Sequence, residues 1–248
     1  MNSLQEHKRT VDACHDPYRR LRNRVRWLID LSRKKRLLKQ LATSDFIEVC
    51  DIELMVLTGV FHPQIFITGI HFCRLLQQIF PRTKFTTVLD MGTGSGICAL
   101  LAAQYVQTVD AIDINPVAVS CARANVRLNR LQNKVTVWEG HLFEPVADKL
   151  YDCICFNPPF YTGIPQSHPE SALYGGQALE TIRDFARKAP DHLVSPGTVF
   201  LLLSTDGQCE QIVNIMAEYG FQCSLVQQKE LIIERLLLVQ CRLSSHRS

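Results

Sequence analysis

The sequence predicts an α/β fold: a seven-stranded, mostly parallel sheet with one antiparallel edge strand, preceded by a helical N-terminal region. Three observations predict it. Between residues 86 and 219, short apolar runs of strand length alternate with helical stretches, the pattern of a parallel sheet covered on both faces. A glycine-rich turn, Gly92-Thr93-Gly94-Ser95-Gly96, joins the first of these strands to the first of these helices. The last two strands, 221–227 and 232–243, have no helix between them, so they pair like a hairpin and make one edge antiparallel.

Taken in order, strands are expected over 86–90, 109–113, 135–139, 151–156 and 198–204. Helices are expected over 95–105, 116–129, 177–193 and 209–219. Upstream, residues 64–80 read as a helix stopped by Pro81, and residues 45–63 as a mixed connector ending in Phe61-His62-Pro63. Residues 16–42 read as another helix. Pro17 sits near its start, where a missing N–H does least harm, and Leu21, Val25, Leu28, Leu31, Leu38 and Leu41 recur at helical spacing.

Composition narrows the class. With 46% hydrophobic and 21% charged residues, the 248-residue chain has enough apolar sequence for a real core, which excludes global disorder. Charge is uneven: residues 1–40 carry a net +8 and residues 41–248 a net −5. The basic arm is either a solvated helix face or a contact for an anionic partner such as RNA. Ten cysteines contain no CxxC pair, so zinc-ribbon and thioredoxin chemistry have no foothold and no metal is expected. Buried, reduced thiols and a cytoplasmic location are the expectation. The start lacks a signal-peptide core, and no apolar run approaches the ~20 residues that span a bilayer.

The chemistry concentrates in two turns. Strand 86–90 ends in Asp90, two residues before Gly92. A carboxylate there is wrong for a pyrophosphate but suits a cationic ligand. Asp113 ends the next strand, where a carboxylate accepts hydrogen bonds from ribose hydroxyls. Together with Gly92, Thr93, Gly94 and Gly96 they point to an adenosine ligand bearing an amine or sulfonium, at the carboxyl end of a parallel sheet. The second turn, Asn157-Pro158-Pro159-Phe160, follows the apolar strand 151–156. Its two prolines remove two N–H donors. The Asn157 side-chain oxygen and the Pro158 carbonyl remain as acceptors able to hold an NH2 group, and Phe160 offers a face for a planar substrate. Methyl transfer to an amide or aromatic amine needs that alignment more than a strong base.

These residues resemble the class I methyltransferases of the HemK-like family, which includes the release-factor glutamine methyltransferases. The likeness covers about residues 56–205 and includes Pro169 to Gly176 beyond the two turns. It implies a Rossmann-like methyltransferase sheet over 61–248, with residues 1–60 as a basic lid or substrate-recognition region. It implies S-adenosylmethionine as cofactor. Asp90, Gly92, Gly94 and Gly96 would border its methionine part, Asp113 its ribose and Ile114 its adenine. Asn157 and Pro158 would hold the target nitrogen, and Phe61-His62 would cover the methionine end. Pro159, Tyr161 and Tyr174 are candidates for the substrate pocket. The sequence departs from the family twice. Phe160 stands where glutamine-modifying members usually have Tyr, and Gly140-His141-Leu142 replaces Gly-Asp-Leu, so His141 and Leu142 take the adenine-side positions. The acceptor implied is a protein glutamine, with a small-molecule nitrogen or an RNA base as alternatives. A catalytically silent adaptor is the non-enzyme reading, and the intact Asn-Pro-Pro-Phe turn argues against it.

Overall fold

The computed structural model describes residues 3–16, 44–63, 67–159, 161–164, 174–232 and 234–244. The expected basic helix over 16–42 falls, apart from Asp16, outside the described residues. The described part begins with helix α1 (Ser3–Cys14), which the polar sequence did not announce. The connector expected over 45–63 is instead a β-hairpin, β1 (Asp45–Val49) and β2 (Ile52–Val56), followed by a loop through Phe61-His62-Pro63. Helix α2 (Ile67–Ile79) then ends, as expected, at a short 3-10 turn containing Pro81.

The remainder is β3 (Thr87–Met91), α3 (Ile97–Ala102), β4 (Thr108–Asp113), α4 (Pro116–Leu128), β5 (Val135–Glu139), β6 (Tyr151–Phe156), α5 (Glu180–Lys188), β7 (Leu193–Ser204), α6 (Cys209–Glu218), β8 (Phe221–Glu230) and β9 (Arg235–Leu243). The seven strands stand in the order β5-β4-β3-β6-β7-β9-β8. Strands β3 to β7 are parallel to one another, and β9 runs antiparallel between β7 and β8. The order reverses between β3 and β6, which makes the carboxyl ends of those two strands the switch point where such sheets bind ligands.

Both faces of the sheet are buried, and strand alternation divides the core between them. Leu89, Met91, Ile154, Phe156 and Leu201 pack with α5 and α6 on one side. Val88, Cys153, Cys155, Phe200 and Leu202 pack with α2 and α3 on the other. Each fully buried Leu or Phe contributes about 1.5–3 kcal/mol of transfer energy, so the central strands are the rigid floor on which the site is built.

One expectation about the cysteines is corrected. Eight thiols are free, but Cys14 and Cys209 form a disulfide between the end of α1 and the start of α6. The two are 195 residues apart, so no spacing rule could pair them without α1 in place. No helix among the described residues is long and apolar enough to cross a membrane. No group of three metal-ligating side chains is present among them either.

Candidate active site

The glycine turn takes its shape from backbone conformations that only glycine adopts freely. Gly92, Gly94 and Gly96 have φ of +68°, +56° and +86°. Gly96 also lets α3 start against α4, since a Cβ there would lie 3.2 Å from the Ala122 Cβ. Two carboxylates brace the turn. Asp90 Oδ2 accepts from Thr93 Oγ1 at 2.6 Å and from Ala99 N at 3.0 Å. Asp113 accepts from Gly94 N at 2.8 Å and Asn115 N at 2.9 Å. Burial holds the Asp90 carboxyl up at about 6, above its ordinary 3.8, against the pull of its Thr93, Cys98 and Ala99 hydrogen bonds. Asn115 caps α4 through Val117 N at 3.0 Å, and its Nδ2 reaches Gly59 O at 3.4 Å, tying the loop after the hairpin to this end of the sheet.

The second turn leaves β6 beside the first. Asp90 pairs with Cys155 and Met91 with Phe156, so Gly92 and Asn157 exit side by side. Phe156 packs on Phe185 of α5, ring centroids 4.6 Å apart. The Asn157 Oδ1 is buried and has no hydrogen-bond partner among the described residues. An orphaned buried acceptor costs about 1–3 kcal/mol, a penalty that a ligand N–H would remove.

Beyond the prolines the chain is clasped. Gly175 N donates to Tyr161 O and Gly163 N to Gly176 O, each at 3.0 Å. Gly175 has to be glycine here, because a Cβ would meet the Pro159 carbonyl oxygen at 2.7 Å. The Tyr161 hydroxyl donates to Asp206 Oδ2 at 2.6 Å, anchoring the clasp to the turn after β7.

A cavity of about 620 Å³ opens over these two turns. Of the residues expected at the cofactor, Asp90, Gly92, Thr93, Gly94, Asp113, Ile114, His141, Leu142 and Asn157 line it. Gly96 does not; its place is in the packing against Ala122. Of those expected at the substrate, Phe61, Pro159 and Tyr174 line the cavity, while His62, Pro158 and Tyr161 do not. Pro158 is buried in the turn. Tyr161 is drawn off by Asp206. His62 is buried behind the wall with its Nε2 3.7 Å from Asp45 Oδ2, and burial holds it below its ordinary value despite that neighbouring carboxylate. Phe160 lies outside the described residues. The wall also contains Phe72 and Cys73 from α2 and Glu180 and Thr181 from α5. The helical pattern located both helices without indicating which face meets the cavity.

Comparisons with known proteins give the family and the fold. A family model described as methyltransferase small domain matches residues 51–232. The ribosomal protein uL3 glutamine methyltransferase of Bradyrhizobium diazoefficiens is 39% identical over 126 residues, 46% of this chain and 40% of that protein. A putative protein N5-glutamine methyltransferase of Methanocaldococcus jannaschii is 28% identical over 187 residues, 72% of this chain and 91% of that one. The chain thus spans less than half of the first relative and most of the second. Among solved structures, the E. cuniculi Mtq2-Trm112 complex, which methylates a translation termination factor, superposes with a TM-score of 0.57 at 17% identity. It covers 75% of this chain and 99% of that one, a likeness of fold.

Proposed function

We propose that this chain, which belongs to the methyltransferase small domain family, transfers a methyl group from S-adenosylmethionine to a planar nitrogen, the side-chain amide of a glutamine in a protein. The observation that carries this reading is the buried, unpartnered Asn157 Oδ1 at the cavity wall, beside the glycine turn. The residues fit the cofactor. The left-handed glycines admit close approach of a ligand to the backbone, Asp90 supplies a carboxylate for its ammonium, and Asp113 has carboxylate lone pairs for its ribose. When bound, S-adenosylmethionine supplies a methyl carbon already activated by its sulfonium. The protein's own contribution is alignment. Asn157 Oδ1 accepts one amide N–H, which fixes the amide so that its nitrogen lone pair faces the methyl side. No strong base is required, because the departing proton belongs to a nitrogen that has become cationic.

The similarity to glutamine methyltransferases favours glutamine over the small-molecule and RNA readings. The test is labelling with tritiated S-adenosylmethionine of three purified acceptors: unmethylated uL3, an unmethylated release factor, and total tRNA. Label is expected in a protein. Label confined to tRNA would overturn the protein reading.

Asp90 makes a second, acceptor-independent expectation. Its carboxyl sits at about 6 because burial disfavours the charge, and a bound ammonium restores it. Cofactor binding near pH 6 should therefore release a proton, and affinity should fall as the pH drops through 6. In the ligand-free protein the same shift works oppositely. Between about 6 and 3.8 the folded state holds more protons than the unfolded one, so this group's contribution to stability rises as pH falls. Calorimetry in two buffers of different ionisation enthalpy reads the proton directly. A binding enthalpy independent of buffer at pH 6 would show that Asp90 does not meet the ammonium.

A further inference from the structure

We infer that the outer edge of β1 is a docking strand for an extended, basic segment of the acceptor protein, an inference that rests on the protein-methylating reading above. The hairpin turn is Cys50-Asp51, with φ of +53° and +60°, the left-handed pair of a two-residue turn. That turn makes Val49↔Ile52, Ile47↔Leu54 and Asp45↔Val56 the hydrogen-bonded pairs. The backbone groups of Phe46 and Glu48 on β1, and of Glu53 and Met55 on β2, therefore point away from the hairpin.

The β2 side is built in. Met55 N donates to Asn125 Oδ1 at 2.7 Å, Asn125 Nδ2 donates to Met55 O at 2.8 Å, and Asn129 Nδ2 donates to Glu53 O at 2.8 Å. The β1 side has no such partner: the outward N–H and C=O of Phe46 and Glu48 meet no hydrogen bond among the described residues.

The two edges of the large sheet are treated differently. On β5, Arg123 Nη2 covers Val137 O at 2.9 Å. On β8, Thr10 of α1 donates to Cys223 O at 3.2 Å and accepts from Leu225 N at 3.0 Å, and the rest of the strand carries Lys229. Capping and an edge lysine are ordinary protection against strand addition. β1 has neither.

The chemistry of the edge selects its occupant. Phe46 is 73% exposed, an apolar anchor on the outer strand. Residues 45–56 contain four acids and no Lys or Arg. An acidic edge repels a phosphate backbone and attracts the Lys and Arg that RNA-associated proteins carry. Main-chain hydrogen bonds to an added strand would give affinity, and the acids and Phe46 selectivity. The edge also leads to the site: Asp45 lies 3.7 Å from His62, whose neighbours Phe61 and Pro63 line the cavity.

The experiment measures KM for whichever of unmethylated uL3 or release factor the wild-type protein labels, at saturating S-adenosylmethionine, for Glu48→Pro, Phe46→Ser and Glu48→Gln. Glu48→Pro removes an outward donor and leaves the hairpin ladder intact. Phe46→Ser tests the same edge should the proline disturb the fold. Both should raise KM about tenfold, as expected for lost edge hydrogen bonds or a lost anchor, with the turnover number, cofactor affinity and melting temperature unchanged. Glu48→Gln should weaken the salt dependence of KM. Unchanged KM in both edge variants overturns the proposal while leaving glutamine methylation standing. A wild-type dimer dissolved by either variant assigns the edge to a second copy, and a lowered melting temperature with unchanged KM assigns it to the protein's own chain; each overturns the proposal. Wild-type labelling of tRNA but of neither protein removes both readings.

Discussion

Alanine at Asn157 is expected to abolish methyl transfer while leaving cofactor binding nearly intact. The Asn157 oxygen is buried, without a partner among the described residues, and held at the mouth of β6 by a turn whose prolines cannot donate. In its proposed role as acceptor, removing it would leave a substrate N–H unpaired and the nitrogen free to rotate. Misplacement near 1 Å costs about a hundredfold in rate. The cofactor contacts proposed above lie mainly on the glycine turn and its two acids, so affinity should hold. Asn157→Asp should be less damaging, because a carboxylate still accepts. Rapid-quench single turnovers and calorimetry, run on the same preparations, separate the two effects. Near wild-type single-turnover rates in the alanine variant would mean that the nucleophile is held by other groups.

The second large effect is expected at Asp113, where alanine should weaken S-adenosylmethionine and S-adenosylhomocysteine binding by tenfold to a hundredfold or more. The structure gives this carboxylate two duties. It accepts from Gly94 N and Asn115 N, bracing the glycine turn and the start of α4, and it lines the cavity where a ribose would lie. Hydrogen bonds to a charged group are each worth about 1.5–3 kcal/mol. Asp113→Asn should recover only part of the loss, since one amide oxygen cannot serve both N–H groups as two carboxylate oxygens do. Unchanged affinity by calorimetry would place the ribose elsewhere.

The parallel strands were legible because strands buried on both faces are written as continuous apolar runs, and 151–156 and 198–204 are of that kind. The cofactor end of the site was legible for a related reason. Its geometry is local, a few glycines and an acid within one turn, with a second acid ending the next strand. The hairpin was not legible, because Cys50-Asp51 occupies left-handed conformations without a glycine to signal them. Helix α1 was missed because little apolar periodicity marks it. It is held by Thr10 against β8 and by a disulfide to α6, both contacts with the far end of the chain. The acceptor side was read least well. Tyr161 is turned to Asp206, 45 residues on, and His62 toward Asp45 across the hairpin. Such pairings exist only after the fold has formed.

If the methylated atom is an amide nitrogen, the hydrolysis product of the labelled acceptor carries its signature. Protein acceptor labelled with tritiated S-adenosylmethionine is hydrolysed in strong acid and the volatile fraction analysed. An N-methylated glutamine amide releases its label as methylamine, the result expected here. Label released as methanol under mild base would mark a carboxylate oxygen, and label retained on an amino acid after complete acid hydrolysis would mark carbon, sulfur or a side-chain amine. Either result would contradict the amide assignment and the role given to Asn157.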